Sequence, residues 1–250
     1  MVIVTLTTDV GWKYAAEMKG RILSINPDAT IVDVSHHILP QKIMQGAFVM
    51  YSVAPHFTDA VHVGVVDPGV GTERKSIIIE CEHAHFVGPD NGLLIPAAKT
   101  LGIKKVYEIT PDAGASSVFH GRDVFAPAAA RLSKGERAAK LGEEIEEYVD
   151  LDFGECEVTE GRVRGRVLFI DRFGNIVTNI RAEHVRADAF EVKMGIVERK
   201  VKVYPSYGFA EQGEILALIG SSGFLEIAQR GGNAAALCRA EENMEIEIFF

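Results

Sequence analysis

The sequence lacks any run of roughly eighteen apolar residues, the length that a membrane-spanning helix requires. Its first residues, MVIVTLTTDV, enter a strand pattern at once instead of a basic and then apolar leader, which argues against export. Positive charge is in short supply. With 26 Lys and Arg against 35 Asp and Glu, the formal net charge is -9, and the basic face that a phosphate backbone demands is not expected. Cysteine is scarce as well: Cys81, Cys156 and Cys238 are scattered and form no CxxC pair, which speaks against a disulfide framework or a structural zinc site and fits a reducing, cytoplasmic compartment. Neither GxGxxG nor GxxxxGK[ST] occurs, so the common dinucleotide and phosphate loops are excluded.

What is present is the composition of a globular chain. At 47% hydrophobic and 24% charged over 250 residues, it can bury a full core as one large or two modest domains. Val2–Leu6, Ile31–Val34, Ala60–Asp67 and Ser76–Glu80 read as buried strands, and Tyr14–Ile25, Ile43–Ser52, Leu94–Leu101 and Phe125–Leu132 read as helices between and after them. That alternation predicts an α/β fold over residues 1–150: a mostly parallel sheet with flanking helices. The charged segment Glu143–Asp152 reads as the boundary. Beyond it, over residues 151–250, short strand-like runs separated by glycines predict a smaller, antiparallel β-barrel.

Chemistry concentrates in two stretches. VVDPGVGTERK (65–75) supplies Asp67 and Arg74, and VFHGRDVFAP (118–127) supplies His120, Arg122 and Asp123, with glycines at 69, 71 and 121 that let backbone approach a ligand. An acid paired with an arginine, next to the one side chain that titrates near neutrality, makes a group suited to handling water. Either Asp67 or His120 can take the proton, whereas Arg74 keeps its own and is left to orientation and electrostatics. Asp9, Asp67 and Asp90 fall at three strand exits, where ligands gather in such sheets. In the second half, DRFGNIVTNI (171–180) offers Phe173 to stack on a flat base and Asn175 to read its edge. GSSGFLEIAQRGGNAA (220–235) brings Ser221, Ser222 and Asn233 in a loop able to hold a carboxylate through backbone donors. His36, His37, His83 and His85 raise the question of a metal, but no HxxxH or matching carboxylate spacing accompanies them.

These segments resemble the S-adenosyl-L-methionine (SAM) hydroxide adenosyltransferases, adenosine-forming hydrolases related to the fluorinating and chlorinating enzymes. The resemblance rests on LTTDVG (6–11), EMKG (17–20), VGVVDPGVGTER (63–74), GPDNGLL (88–94), FHGRDVFAPAAA (119–130), DRFGNIVTNI and GSSGFLEIA, in order along nearly the whole chain. It implies a homotrimer with active sites between subunits, SAM as substrate, and no cofactor or metal. Asp9 is then the acid on the ribose hydroxyls, and Asp67, Arg74 and His120 position and activate water. Asp171 and Ser221 contact the methionine end, while Phe173, Asn175 and the backbone at Asn233–Ala235 form the adenine pocket. The halide-using relatives carry an aromatic in place of Asp67, a halide-binding residue in place of Gly121 and an extra loop in the first domain, so the resemblance implies water as nucleophile; they also carry a tryptophan in place of Val177, which bears on the wall near the adenine. After Asp9 the chain departs from the family pattern: VGWKYAAEMKG is two residues shorter and brings no second acid, Trp12, Lys13 and Tyr14 standing there instead. A SAM-binding sensor without turnover and a metal-assisted hydrolase using Asp9, Asp67, Asp90 and the histidines remain as rival expectations.

Overall fold

The computed structural model describes residues 2–250, which divide into two compact units, the first ending at Asp152 and the second spanning Phe153–Phe250. Each is built around its own core.

The first unit is a seven-stranded sheet. Its strands are β1 (Ile3–Thr8), β2 (Thr30–Ser35), β3 (Val61–Val65), β4 (Ser76–Cys81), β5 (His85–Pro89), β6 (Ile103–Ile109) and β7 (Gly142–Ile145), in the spatial order β2-β1-β3-β5-β4-β6-β7. The half β2-β1-β3-β5 is parallel, and the half β5-β4-β6-β7 is antiparallel. The sheet is thus mixed and less parallel than the strand–helix alternation suggests. The reason is local: only Glu82, His83 and Ala84 separate β4 from β5, far too few for a crossover, which takes a dozen residues or more, so the pair closes as a hairpin. The acidic segment taken as a boundary in fact begins inside the sheet, since Gly142–Ile145 pairs with β6.

Helices α1 (Gly11–Ile25), α2 (Ile43–Val53), α3 (Ile95–Thr100) and α4 (Ala126–Ser133) cover both faces. On β3 the alternation is plain. Val61, Val63 and Val65 share a core with Met18 and Ile22 of α1 and Ala129 of α4, whereas at Gly64 an added Cβ would run into Met50 of α2 and Leu94. Within α1, Ala15, Met18 and Ile22 form the buried stripe, and the helix ends at Asn26, whose side-chain amide donates to Ser133 Oγ of α4 at 2.8 Å. Helix α1 starts three residues earlier than its apolar periodicity predicts, because Gly11 enters with φ +73 and donates its N–H to His36 O.

The second unit holds β8 (Glu157–Thr159), β9 (Arg162–Ile170), β10 (Ile176–Arg181), β11 (Ala189–Met194), β12 (Val197–Val203), β13 (Ile215–Ile219), β14 (Phe224–Gln229), the short helix α5 (Ala234–Cys238) and β15 (Glu245–Phe249). Seven strands close as a barrel, β9-β10-β14-β13-β12-β11-β15 and back to β9, with β8 appended to β9. Closure removes the sheet edges. Every pairing round the ring is antiparallel except β12 with β13, which run parallel across a long connection. Strand β9 explains its own placement: Val163 and Val167 point into the core, while Arg162 and Arg164 point out and pair with Glu247 and Glu245 on β15. Among the described residues, no helix is long and apolar enough to cross a membrane.

A histidine is buried on a strand of the first sheet. His62 on β3 is buried, stacks on Phe86 and accepts or donates through Nδ1 to Thr5 Oγ1 at 2.9 Å, but its Nε2 has no hydrogen-bond partner. Burial pushes this imidazole down to about 4 from an ordinary 6.5. Between those two values the unfolded chain binds the proton and the folded one does not, so stability falls as pH drops through that window, by about 3 kcal/mol once the drop is complete. Urea midpoints measured at about pH 7 and about pH 4 should therefore move apart less in His62→Phe than in the unmodified protein; the same displacement in both would show that this group does not govern the acid response.

Candidate functional site

Strands β1 and β3 end side by side, the Asp9 N–H donating to Val65 O at 3.2 Å, and this junction brings Asp9 and Asp67 to neighbouring strand exits. The loop after β3 then turns back through Gly71, which holds φ +78 and lies so close to Ser117 O that a Cβ there would collide with it. In this way the 67–74 loop is laid against the 115–120 segment, and Arg74 reaches His120.

Arg74 is the hub. Its Nε donates to Asp67 Oδ1 at 3.1 Å and its Nη2 to Asp67 Oδ2 at 2.6 Å, a two-point grip on the carboxylate. The second Nη2 proton goes to His120 Nδ1 at 2.9 Å, and the two Nη1 protons go to Lys75 O at 2.8 Å and Ser76 Oγ at 3.0 Å. All five donors of the guanidinium are thereby occupied. The side chains of Arg74 and Asp67 are 9% and 6% exposed, so the ion pair is largely out of water. Phe125 walls it, with the guanidinium carbon 5.5 Å from the ring centre and the His120 ring edge-on at 6.3 Å.

This arrangement fixes protons. Arginine only donates, so His120 Nδ1 accepts, and a neutral imidazole must then carry its hydrogen on Nε2. Burial first, and the Arg74 charge second, hold His120 below its ordinary value and keep it neutral at pH 7. Asp67 is displaced the other way: burial raises it, outweighing the attraction of Arg74.

His120 is held from its C-terminal side by a π-helical turn over Gly121–Phe125, the wide-turn geometry often found at functional positions. Arg122 and Asp123 in that turn have a structural job. Arg122 grips Asp123 through Nε and Nη2, both at 2.8 Å, and reaches Glu17 on α1 at 3.0 Å; Asp123 also accepts from the Ser116 N–H at 3.1 Å. Beside it a cleft of roughly 600 Å³ opens between Val10, Tyr14, Glu17, Phe119 and Arg122.

The other sequence candidates divide by unit. Asp9 offers its carboxylate at the β1 exit, with Oδ2 already accepting from the Gln41 N–H at 3.0 Å. Asp90 is not part of the group: it is buried and accepts from the Val149 N–H at 2.8 Å, tying down the segment that leaves the sheet. In the second unit Asp171 caps its own turn, Oδ1 accepting from the N–H of Phe173 and of Asn175 and Oδ2 from the Asn175 amide. That turn leaves Phe173 64% exposed, an unusual placement for a phenylalanine. Gly174, at φ +82, lies against the Asn233 side chain and accepts from the Ala235 N–H at 2.9 Å, so 171–175 and 233–235 form one surface. Asn233 itself caps α5 through Oδ1. Ser221 and Ser222 occupy the turn between β13 and β14, where Gly223 N–H donates to Gly220 O. Behind that turn lies Glu226, raised by burial, accepting from Tyr207 Oη at 2.7 Å.

The sequence reading missed the last pair, and it missed a cluster beside Asp9. The indole N–H of Trp12 donates to His37 Nε2 at 2.8 Å, and His36 bridges Thr8 and Asp33. Nothing in a run of two histidines announces such partners. His83 stands 3.9 Å from Asp59 and His85 is lowered by burial; among the described residues no group of three or more His, Cys, Asp or Glu is placed to hold a metal ion.

Comparison with known proteins agrees over both units. Residues 4–142 match the model of the SAM hydroxide adenosyltransferase N-terminal domain, and residues 165–247 match that of its C-terminal domain. A protein of Methanocaldococcus jannaschii named (R)-S-adenosyl-L-methionine hydrolase is 41% identical, the alignment covering 99% of this chain and 96% of that one. A protein of the same name from Salinispora arenicola is 35% identical over 98% and 97%. The crystal structure of an uncharacterized conserved protein from Thermotoga maritima superposes with a TM-score of 0.93 at 36% identity, over the full length of both chains. The chain is a member of the SAM hydroxide adenosyltransferase family.

Proposed function

We propose that this protein hydrolyses S-adenosyl-L-methionine to adenosine and L-methionine, with water attacking C5′ of the ribose in line with the departing sulfur. The relatives named above carry the (R) sulfonium epimer in their name, and the reading for this chain includes that epimer. The observation that carries the mechanism is the grip of Arg74 on both Asp67 and His120.

The sulfonium makes methionine a neutral leaving group, so the reaction needs no general acid. What it needs is an oriented, partly deprotonated water at the right distance and angle. His120, with its hydrogen on Nε2, donates to the water oxygen and fixes its orientation; it has no free lone pair with which to act as base. Asp67 takes the proton. Its burial, which raises it, makes it a better acceptor than an ordinary carboxylate, and Arg74 keeps it ionised and aimed. As the O–C5′ bond forms and the C5′–S bond breaks, the electron pair of the latter goes to the methionine sulfur, and the proton passes from water to Asp67 and on to solvent. Asp9 serves the ribose hydroxyls, the exposed Phe173 with Asn175 and the 233–235 backbone serves adenine, and Ser221, Ser222 and Asp171 serve the methionine end. The reading needs neither metal nor cofactor.

The same reading includes a homotrimer with active sites between subunits and a cytoplasmic location. In favour of the former stand the exposed apolar side chains Trp12, Tyr14 and Val118 around the first unit's site and Phe173 on the second, which suit burial by a neighbouring copy. In favour of the latter stand three unpaired cysteines. Light scattering reads the assembly directly, and a monomeric mass would remove the shared sites.

EDTA-treated protein incubated with each sulfonium epimer should release adenosine and methionine in equal amounts. Binding of SAM without either product would instead make the protein a sensor, and loss of turnover on chelation would make it metal-dependent. Asp67→Asn should lower kcat about 100-fold or more with KM within a few-fold, because the group acts on water and not on the substrate; an equal loss in binding would contradict the role. The pH dependence follows from the two directions. Protonating Asp67 or His120 stops the reaction; burial lifts the first above the ordinary carboxylate value and, with Arg74, holds the second below the ordinary imidazole value, so kcat should fall as pH drops, along a limb that lies above the ordinary carboxylate value. An acid limb at or below the ordinary carboxylate value would show that Asp67, raised by burial, is not the group that takes the proton.

A further inference from the structure

The loop that leaves β2 is bound to the exit of β1 with unusual completeness. His36 is buried, and both ring nitrogens are engaged: Nδ1 with Thr8 Oγ1 and Nε2 with Asp33 Oδ1, each at 2.9 Å. A carboxylate only accepts, so Nε2 carries the hydrogen and Nδ1 accepts from the Thr8 hydroxyl. Asp33 is held from its other oxygen by Lys19 of α1. The backbone repeats the join on either side, with Gly11 N–H donating to His36 O at 3.2 Å and Ile38 N–H to Thr8 O at 3.3 Å. Further along, the buried Gln45 accepts from the Leu39 N–H at 2.6 Å.

The loop ends in a strained residue with a purpose. Gln41 has φ +66, a left-handed conformation that a side chain other than glycine adopts only when its surroundings impose it. That conformation aims the Gln41 N–H at Asp9 Oδ2, 3.0 Å away. This bond restrains the carboxylate through one oxygen and leaves acceptor capacity on the other for a ligand. A vicinal diol, with two donors side by side, is the group such a carboxylate suits.

We propose that His36 is a positioning residue for Asp9: through the 36–41 loop it holds the Gln41 N–H on the Asp9 carboxylate and thereby sets selectivity for a ribose diol. The inference rests on Asp9 being the ribose contact. It separates two roles that a stability measurement alone would merge, because a purely architectural histidine would affect every ligand alike.

The test compares binding of adenosine with binding of 2′,3′-dideoxyadenosine by calorimetry in the unmodified protein and in His36→Leu. The unmodified protein should favour adenosine by tenfold or more, as expected for hydrogen bonds to a charged acceptor. His36→Leu should lose most of that preference while binding the dideoxy compound as before, and should raise KM for SAM about tenfold with kcat within a few-fold. Thr8→Val and Asp33→Ala each remove one partner of the ring and should shift the preference in the same direction, which keeps the test available if the leucine variant does not fold. A preference left intact in all three, or a loss that falls equally on both nucleosides, overturns the positioning role. Absence of any preference in the unmodified protein overturns the ribose assignment of Asp9 and the inference with it.

Discussion

The site depends on the fact that a guanidinium has five hydrogens to donate and cannot accept. In this protein all five are placed, on Asp67, His120, the Lys75 carbonyl and Ser76. The consequence is more than rigidity. Because Arg74 donates to one nitrogen of His120, the other must carry the proton, and a residue whose chemistry is ambiguous in isolation becomes a donor. Because the same group holds Asp67 at two points in a largely dry setting, the carboxylate stays ionised yet is raised by burial. A single arginine thus sets the state of both its acidic and its imidazole neighbour.

Around that hub the fold supplies placement. Parallel strands bring the exits of β1 and β3 together, and the backbone bond from Asp9 to Val65 fixes their separation. Gly71 allows the next loop to lie on Ser117, and the π-helical turn presents His120 from the opposite side. Arg122 and Asp123, in the same conspicuous motif, lock that turn to α1. The second unit works by a different principle. There a single turn, 171–175, is satisfied internally by Asp171 and is stitched to the cap of α5, leaving an aromatic ring exposed on a hydrogen-bonded surface.

What could be read from the sequence was what local chemistry determines. Asp67, Arg74 and His120 stood out because acid, arginine and histidine beside glycines at strand ends are rarely there for packing alone, and the structure joins them within hydrogen-bond distance. The α/β unit and the barrel were legible in the change of periodicity. The antiparallel half of the first sheet was legible in principle from the three-residue link before β5. Tertiary partners were not. Asp90 has the sequence setting of a site residue and is a tether for Val149; His36 and His37, whose spacing gave no role, bind a threonine, an aspartate and an indole. Those roles depend on which strand lies beside which, and on a left-handed glutamine that no pattern announces.

The most direct test of this account is the protonation state of one ring. Nitrogen-15 NMR of histidine-labelled protein near pH 7, with the His120 signals identified by their loss in His120→Gln, reads which nitrogen carries the hydrogen. The account predicts a neutral imidazole protonated at Nε2, with Nδ1 in the range of a hydrogen-bond acceptor. A neutral ring protonated at Nδ1, or an imidazolium, would contradict the assignment of Asp67 as base and of His120 as the donor that orients water.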